Sequence, residues 1–274
     1  MRQICGFTLL LSGLLAGCGK EEGPFLAPKQ SIAYVRYVHA VPDTGATDWR
    51  PIDALDNSPP AFGLAFRGFT PYQAMGSGAR KIRVFTTSTD INVTSVPIVD
   101  TTITFSENTY YTLLWTGFSR SGQAPADRLV LIEDKIPDVP SGQVAVRVVN
   151  TGVDLGSVDV FASPDTTSAL PAAPLLSAVA ADAVSAYQAQ TPGPLWLRLT
   201  AAGTRSPILT QVVAPPGQAG DASQNLTPVG GSTMGGSAFT AFVFRRSVPG
   251  SAAPQTGAFT RPGIVYVIDK HPPR

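Results

Sequence analysis

The feature that most constrains this chain is an internal repeat. Residues 35–48 align without gaps on residues 146–159, and six of the fourteen positions are identical: Val35/Val146, Arg36/Arg147, Val38/Val149, Asp43/Asp154, Gly45/Gly156 and Asp48/Asp159. Further on, Tyr72-Gln73-Ala74 returns as Tyr187-Gln188-Ala189, and each copy closes on an aliphatic run ending in Asp-Lys, at Asp134-Lys135 and Asp269-Lys270. The order is kept throughout, so the chain reads as one unit written twice. Pro137, Pro140 and Gly142 mark the join, which places the units at residues 31–138 and 139–274.

Within each unit the local signals are those of strands. Residues 32–38, 81–87, 96–105, 110–118 and 129–135 are short runs rich in Val, Ile, Thr, Tyr and Phe, punctuated by Gly, Pro and Asp/Asn clusters. In the second unit the runs are 143–150, 158–162, 195–200, 208–214, 238–246 and 264–269. About seven strands per unit with frequent turns predicts an all-β chain of two tandem antiparallel β-sandwiches. The Ala-rich segment 175–186 reads locally as a helix, but its counterpart 62–69 is broken by glycine, so strand is the expectation for both. The units differ at one hairpin. Residues 106–109 join two strands in the first, whereas 215–236 do so in the second. That insertion carries six Gly and three Pro with no apolar period, which predicts a mobile loop.

The N-terminus predicts export. Arg2 is followed by an apolar run at residues 4–16, too short for the roughly 20 residues that span a bilayer but right for the core of a signal peptide. The run ends Leu15-Ala16-Gly17-Cys18, which resembles a bacterial lipobox. That resemblance implies a signal peptide at 1–17, a diacylglyceryl group on Cys18 and a flexible tether through residue 30. Gly19 after the cysteine, by resemblance to Gram-negative lipoproteins, implies the outer membrane. Cleavage removes Cys5 and acylation consumes Cys18, so the expected mature fold holds no disulfide. Loss of Arg2 also leaves equal numbers of acidic and basic side chains, so the lipid rather than charge is the expected anchor.

Segment 35–48, a strand followed by His39-Ala40-Val41-Pro42-Asp43 and a second strand, resembles the DUF4397 family, a bacterial domain of unknown function. The resemblance spans about residues 31–270 as two copies and is weaker in the second, where Asn150-Thr151-Gly152-Val153-Asp154 stands instead. It implies exported, often lipid-anchored proteins with immunoglobulin-like sandwiches, and no reaction.

No motif specifies chemistry. The net charge of +1 excludes a broad basic face for nucleic acid, and two histidines far apart exclude the usual zinc sites. Asp43 with Asp48, and Asp154 with Asp159, share one spacing; oxygen ligation of Ca²⁺ is one reading and turn stabilisation the favoured one. His39, Asp43 and Ser119 are the members of a conceivable hydrolytic triad, but the Gly117–Gly122 stretch lacks the spacing of a nucleophile elbow. Because Asn150 replaces His39 in the second copy, a strand-end histidine satisfied by the backbone is expected. The Gly-rich run 230–236 lacks the lysine and spacing of a phosphate loop. Tyr34, Tyr37, Tyr110, Tyr111 and Trp115 suit a sugar platform, with core packing the default. The sequence therefore predicts no catalytic residues, no metal and no cofactor. It predicts a non-enzymatic lipid-anchored envelope protein working in adhesion, scaffolding or recognition. The alternatives are a periplasmic glycan- or peptidoglycan-binding module and, after it, a serine hydrolase.

Overall fold

The structure is a computed structural model, and it describes residues 31–53 and 60–273. The lipobox residues Leu15, Ala16, Gly17 and Cys18, and the tether, lie outside the described residues. Residues 31–274 cluster as one compact unit.

The first eight strands are β1 (Ile32–His39), β2 (Thr47–Pro51), β3 (Ala61–Leu64), β4 (Gln73–Gly76), β5 (Gly78–Thr86), β6 (Pro97–Phe105), β7 (Tyr110–Thr116) and β8 (Arg128–Glu133), with the single-turn helix α1 (Ile91–Thr94) before β6. Then come β9 (Val144–Asn150), β10 (Val158–Ser163), β11 (Leu176–Val179), β12 (Gln188–Gln190), β13 (Trp196–Ala201), β14 (Thr210–Val213), β15 (Ala238–Phe244) and β16 (Gly263–Lys270). They form four sheets: β4-β1-β7-β8 and β3-β2-β5-β6 from the first half, β12-β9-β15-β16 and β11-β10-β13-β14 from the second. Adding eight to each strand number converts the first pair of sheets into the second.

Two β-sandwiches are thus present, with three departures from expectation. Each holds eight strands rather than seven, because β2, β4 and β12 are only three to five residues long and carry weak patterns. Each is antiparallel except for one central pair: β1 runs parallel to β7, and β9 parallel to β15. The first and second strands also sit in different sheets, whereas the immunoglobulin constant order places them together.

Three apolar layers hold the stack. Val35, Tyr37, Trp49, Ile82, Leu113 and Trp115 fill the first sandwich; Val146, Val148, Val160, Leu197, Phe239 and Val243 fill the second. A third layer lies between them, where Val38 of β1, Leu114 of β7 and the loop residues Ala40 and Phe66 meet Val149, Phe242, Phe244 and Val267 of β9, β15 and β16. This explains why β9 and β15 are buried at every position: one face lines its own sandwich and the other faces the neighbour. In contrast, β6, at a sheet edge, alternates between half-buried and exposed positions, the pattern of a strand wet on one side.

The halves repeat even their irregularities. A bulge between β2 and β3 has Gly63 at φ 63°, and the one between β10 and β11 has Ala178 at φ 48°. In the first bulge Asp48 accepts the Gly63 N–H at 2.9 Å, and in the second Asp159 accepts the Ala178 N–H at 2.8 Å. Segment 175–186, expected as strand, is strand only at Leu176–Val179, with turn and loop beyond it.

Insertion 215–236 is not the mobile loop that its composition suggested. Bridges pair Gln218 with Val229, Asp221 with Leu226 and Gly231 with Met234. Asp221 caps a 3₁₀ turn, Ala222–Gln224, that ends in left-handed Asn225. A Cβ at Gly231 would overlap the backbone of Gly217, and one at Gly235 the Ser141 carbonyl. Glycine here permits close backbone approach, so the ordering force is main-chain hydrogen bonding, which leaves no apolar period to read.

Candidate functional site

The carboxylates singled out by their spacing hold loops. Asp43 accepts the main-chain N–H groups of Ser119 and Arg120, each at 3.0 Å. Asp48 also accepts from Thr87 Oγ1 at 2.6 Å and pairs with Arg50 at 3.1 Å. Asp159 takes the Gly203 N–H at 2.8 Å, and Asp154 pairs with Arg245 at 3.0 Å. The loop-holding reading therefore fits Asp43, Asp48 and Asp159, which accept main-chain N–H groups, whereas Asp154 makes only the ion pair with Arg245.

His39 is fully buried between the rings of Trp115 and Phe66, with centroids 4.9 and 6.4 Å away. Its Nε2 donates to the Gly45 carbonyl at 3.2 Å. In the second sandwich Asn150 Nδ2 donates to the Gly156 carbonyl at 3.0 Å, the same bond six residues along. Both side chains thus pin the turn after the first strand; the expected backbone bond of His39 is made by Nε2 alone, since Nδ1 is buried without a partner. Burial lowers the imidazole pKa to about 4, so the ring is neutral at physiological pH. Ser119 meets Asp43 through its main chain and His39 is directed at Gly45, so the three named triad members are each engaged in holding loops.

Of the aromatics, Tyr37, Tyr111 and Trp115 belong to the first core. Tyr34 and Tyr110 stack on each other at 4.6 Å, and the edge of Tyr72 meets Tyr110 at 5.0 Å. The Gly-rich run 230–236 is also structural: Gly230 N–H donates to His271 Nδ1 at 2.9 Å and Gly231 N–H to Ser237 Oγ at 3.1 Å.

What the sequence reading missed as a site is the set of polar residues that recur in it. Arg36 on β1 and Arg147 on β9 point out of their own sandwiches and into the seam between them. Each bonds the aspartate at the end of the last strand of the other half: Arg36 Nη1 meets Asp269, within β16, at 2.6 Å, and Arg147 Nη2 meets Asp134, just after β8. Thr112 and Thr240, at equivalent places on β7 and β15, donate to Asp134 and Asp269 at 2.6 and 2.7 Å. Tyr72 and Tyr187 donate to the same two carboxylates, each at 2.8 Å. Their rings lie under the guanidinium groups of Arg36 and Arg147, at 4.6 and 4.9 Å.

The result is a crossed, fully buried pair of ion pairs related by a pseudo-twofold axis. Burial opposes the Arg36 charge, but Asp269, Tyr72 and Asp134 outweigh it and hold its pKa above the ordinary value. Arg147 behaves alike, with burial countered chiefly by Asp134. Burial, then the neighbouring carboxylates, also raises the tyrosine hydroxyls, which stay protonated as donors. In a buried seam such a cluster is stable only when its carboxylate oxygens find donors. The sequence did hold the signal: Arg, Tyr and Asp-Lys recur in two copies whose other positions have drifted, in strands otherwise apolar.

Cavities open at the insertion and on the seam. One of about 480 Å³ is formed by the insertion, with Asn225, Leu226, Pro228 and Met234 facing Pro272 and Pro273 near the end of the chain. Two others flank the buried cluster on the seam: about 250 Å³ beside Tyr110, Ile136, Asp269 and Lys270, and about 420 Å³ beside Lys135, Arg147, Val184, Ala186 and Tyr187. No group of three or more His, Cys, Asp or Glu side chains suited to a metal ion occurs among the described residues. No described helix is long and apolar enough to cross a membrane.

Comparison with known proteins gives a family match. The model described as a domain of unknown function, DUF4397, matches residues 33–161, which cover the first sandwich and the first two strands of the second. No curated protein matches. Among solved structures, the chain is similar to a leucine-rich repeat protein from Bacteroides thetaiotaomicron. The two share 9% identity with a TM-score of 0.18, over 84% of this chain and 27% of that one. The chain therefore spans about a quarter of that protein's length, and a likeness of this size carries no weight for the fold.

Proposed function

We propose that this chain is a non-enzymatic, lipid-anchored protein of the cell envelope whose paired sandwiches form a rigid body for adhesion, scaffolding or recognition of an envelope component. Residues 139–274 are a second copy of the DUF4397 unit, a reading that the identical strand order of the two halves supports. The observation that carries the recognition role is the insertion cavity of about 480 Å³. It is built on a segment that the first sandwich replaces with residues 106–109, so it is an addition that the fold itself does not require.

The anchor rests on Leu15-Ala16-Gly17-Cys18. Cys18→Ala is expected to abolish fatty-acid labelling and release the protein from membranes; continued labelling overturns the anchor. Cross-linking in intact cells tests the recognition role. Wild-type protein is expected to give discrete adducts that disappear when Leu226 and Met234, which line the insertion cavity, are replaced by Asp; unchanged adducts overturn it. A second reading, a periplasmic glycan-binding module, draws on the Tyr34–Tyr110 stack beside the seam, with Tyr110 open to solvent. Retention on immobilised cell-wall glycan that is lost in Tyr110→Ala is the result expected of it.

A further inference from the structure

The pseudo-twofold at the seam is broken at one atom. Arg36 uses all three of its nitrogens: Nε bonds Thr112 at 2.7 Å, Nη1 bonds Asp269 and Nη2 reaches Thr240 at 3.4 Å. Arg147 uses two: Nε bonds Thr240 at 2.8 Å and Nη2 bonds Asp134. Its Nη1 has no partner among the described residues, although the side chain is only 3% exposed. Arg147 also lines the seam cavity of about 420 Å³. A guanidinium nitrogen without a protein acceptor keeps a donor free for solvent or for a ligand, and it belongs to a side chain that lines the cavity.

The cavity has the form of a small-molecule site. Val184, Ala186 and Pro137 supply apolar walls, and the Tyr187 ring continues them beneath the guanidinium. At the rim stands Lys135, 83% exposed and only loosely paired with Glu133 at 4.0 Å. One fixed donor at the base, one mobile cation at the mouth and apolar walls between are complementary to a small organic acid. We infer that this seam cavity binds a monocarboxylate with a compact apolar body, its carboxylate accepting from Arg147 Nη1 and facing Lys135, its aliphatic part against Val184 and Ala186. The C-terminal end of an aliphatic peptide has this chemistry. The inference does not depend on the anchor or on the insertion.

The test uses the full chain in detergent and two probes that differ only in charge, N-acetylvaline and N-acetylvalinamide, followed by ligand-detected NMR. The acid is expected to bind with a Kd on the order of 1 mM and the amide about tenfold more weakly. Ala186→Phe, which fills an exposed wall, is expected to abolish binding with the melting temperature retained. Glu133→Gln, which removes the carboxylate at the rim, is expected to tighten binding of the acid and leave the amide unchanged. Arg147→Lys, if folded, is expected to lose the preference for acid over amide. Equal affinity for the two probes, unchanged binding in Ala186→Phe, or no binding of the acid up to about 10 mM overturns the proposal. Because two of these results need no change at Arg147, a fold defect in Arg147→Lys leaves the test decisive.

Discussion

Replacing His39 with the residue found at its place in the second sandwich should make the protein less sensitive to acid. Burial lowers the imidazole pKa from its ordinary 6.5 to about 4, so the folded state resists a proton that the unfolded chain accepts. His39 therefore contributes stability that is fully present above pH 6.5 and lost as pH falls towards 4, with no further loss below. A shift of this size corresponds to about 3 kcal/mol in total, of which about 2 kcal/mol is gone by pH 5. Asn150 shows that an amide makes the same bond to the turn carbonyl without titrating. His39→Asn leaves space beside Trp115 and Phe66 and should lower stability at pH 7.5 by about 1–3 kcal/mol. The measurement is the change in unfolding free energy between pH 7.5 and pH 5, by urea titration of wild type and variant at both pH values. Carboxylates titrate alike in both proteins, so the difference isolates residue 39. Wild type should lose about 2 kcal/mol more than His39→Asn over this interval. Equal losses would refute the reasoning, because they would mean that the buried ring takes up a proton as easily as a free one.

Other expectations follow from the same geometry. Asp134→Ala strands Arg147 and two hydroxyl donors in the buried seam and should destabilise by about 3–5 kcal/mol in urea unfolding; Asp269→Ala should behave alike. Gly63→Ala places a Cβ at φ 63°, where no atom lies within 4 Å, so its loss of about 1–2 kcal/mol should be pure backbone strain. Ala178→Gly, at the matching bulge, should be neutral or stabilising by up to about 1 kcal/mol in thermal unfolding. Gly235→Ala drives a Cβ into the Ser141 carbonyl and should cost more than about 2 kcal/mol, whereas in a mobile loop the change would stay within about 0.5 kcal/mol.

Strands with strong composition were legible. The runs at 32–38, 110–118, 143–150 and 238–246 all became strands, because β-branched and aromatic residues between turn formers leave little else to form. The short strands β4 and β12 were not, since Gln73-Ala74 and Gln188-Ala189 carry no apolar alternation; they are held by pairing with β1 and β9. The parallel pairs were invisible because residues far apart in the chain create them. The continuous apolar character of 238–244 did encode burial on both faces, and hence the neighbouring sandwich, but a run of that length reads equally as a single-sandwich core strand. The insertion was misread for a different reason: hydrogen bonds of the main chain leave no trace in side-chain pattern. The seam cluster was written as repetition, and repetition alone does not say whether a residue serves its own half or the other.

The crossed pairing has a consequence for assembly. A half that carries both Arg36 and Asp134 on one apolar face is complementary to itself, because Arg36 needs only an aspartate in the Asp269 position and Asp134 only an arginine in the Arg147 position. While the second half is still being made, two first halves from separate molecules offer each other the same contacts. What favours the correct partner is the brevity of the connection: ten residues lie between the end of β8 at Glu133 and the start of β9 at Val144. A link of that length holds the second half at an effective concentration in the millimolar range, far above that of any competing molecule. Lengthening the join by a long flexible spacer would leave every native contact in place and yet turn this protein towards domain-exchanged pairs.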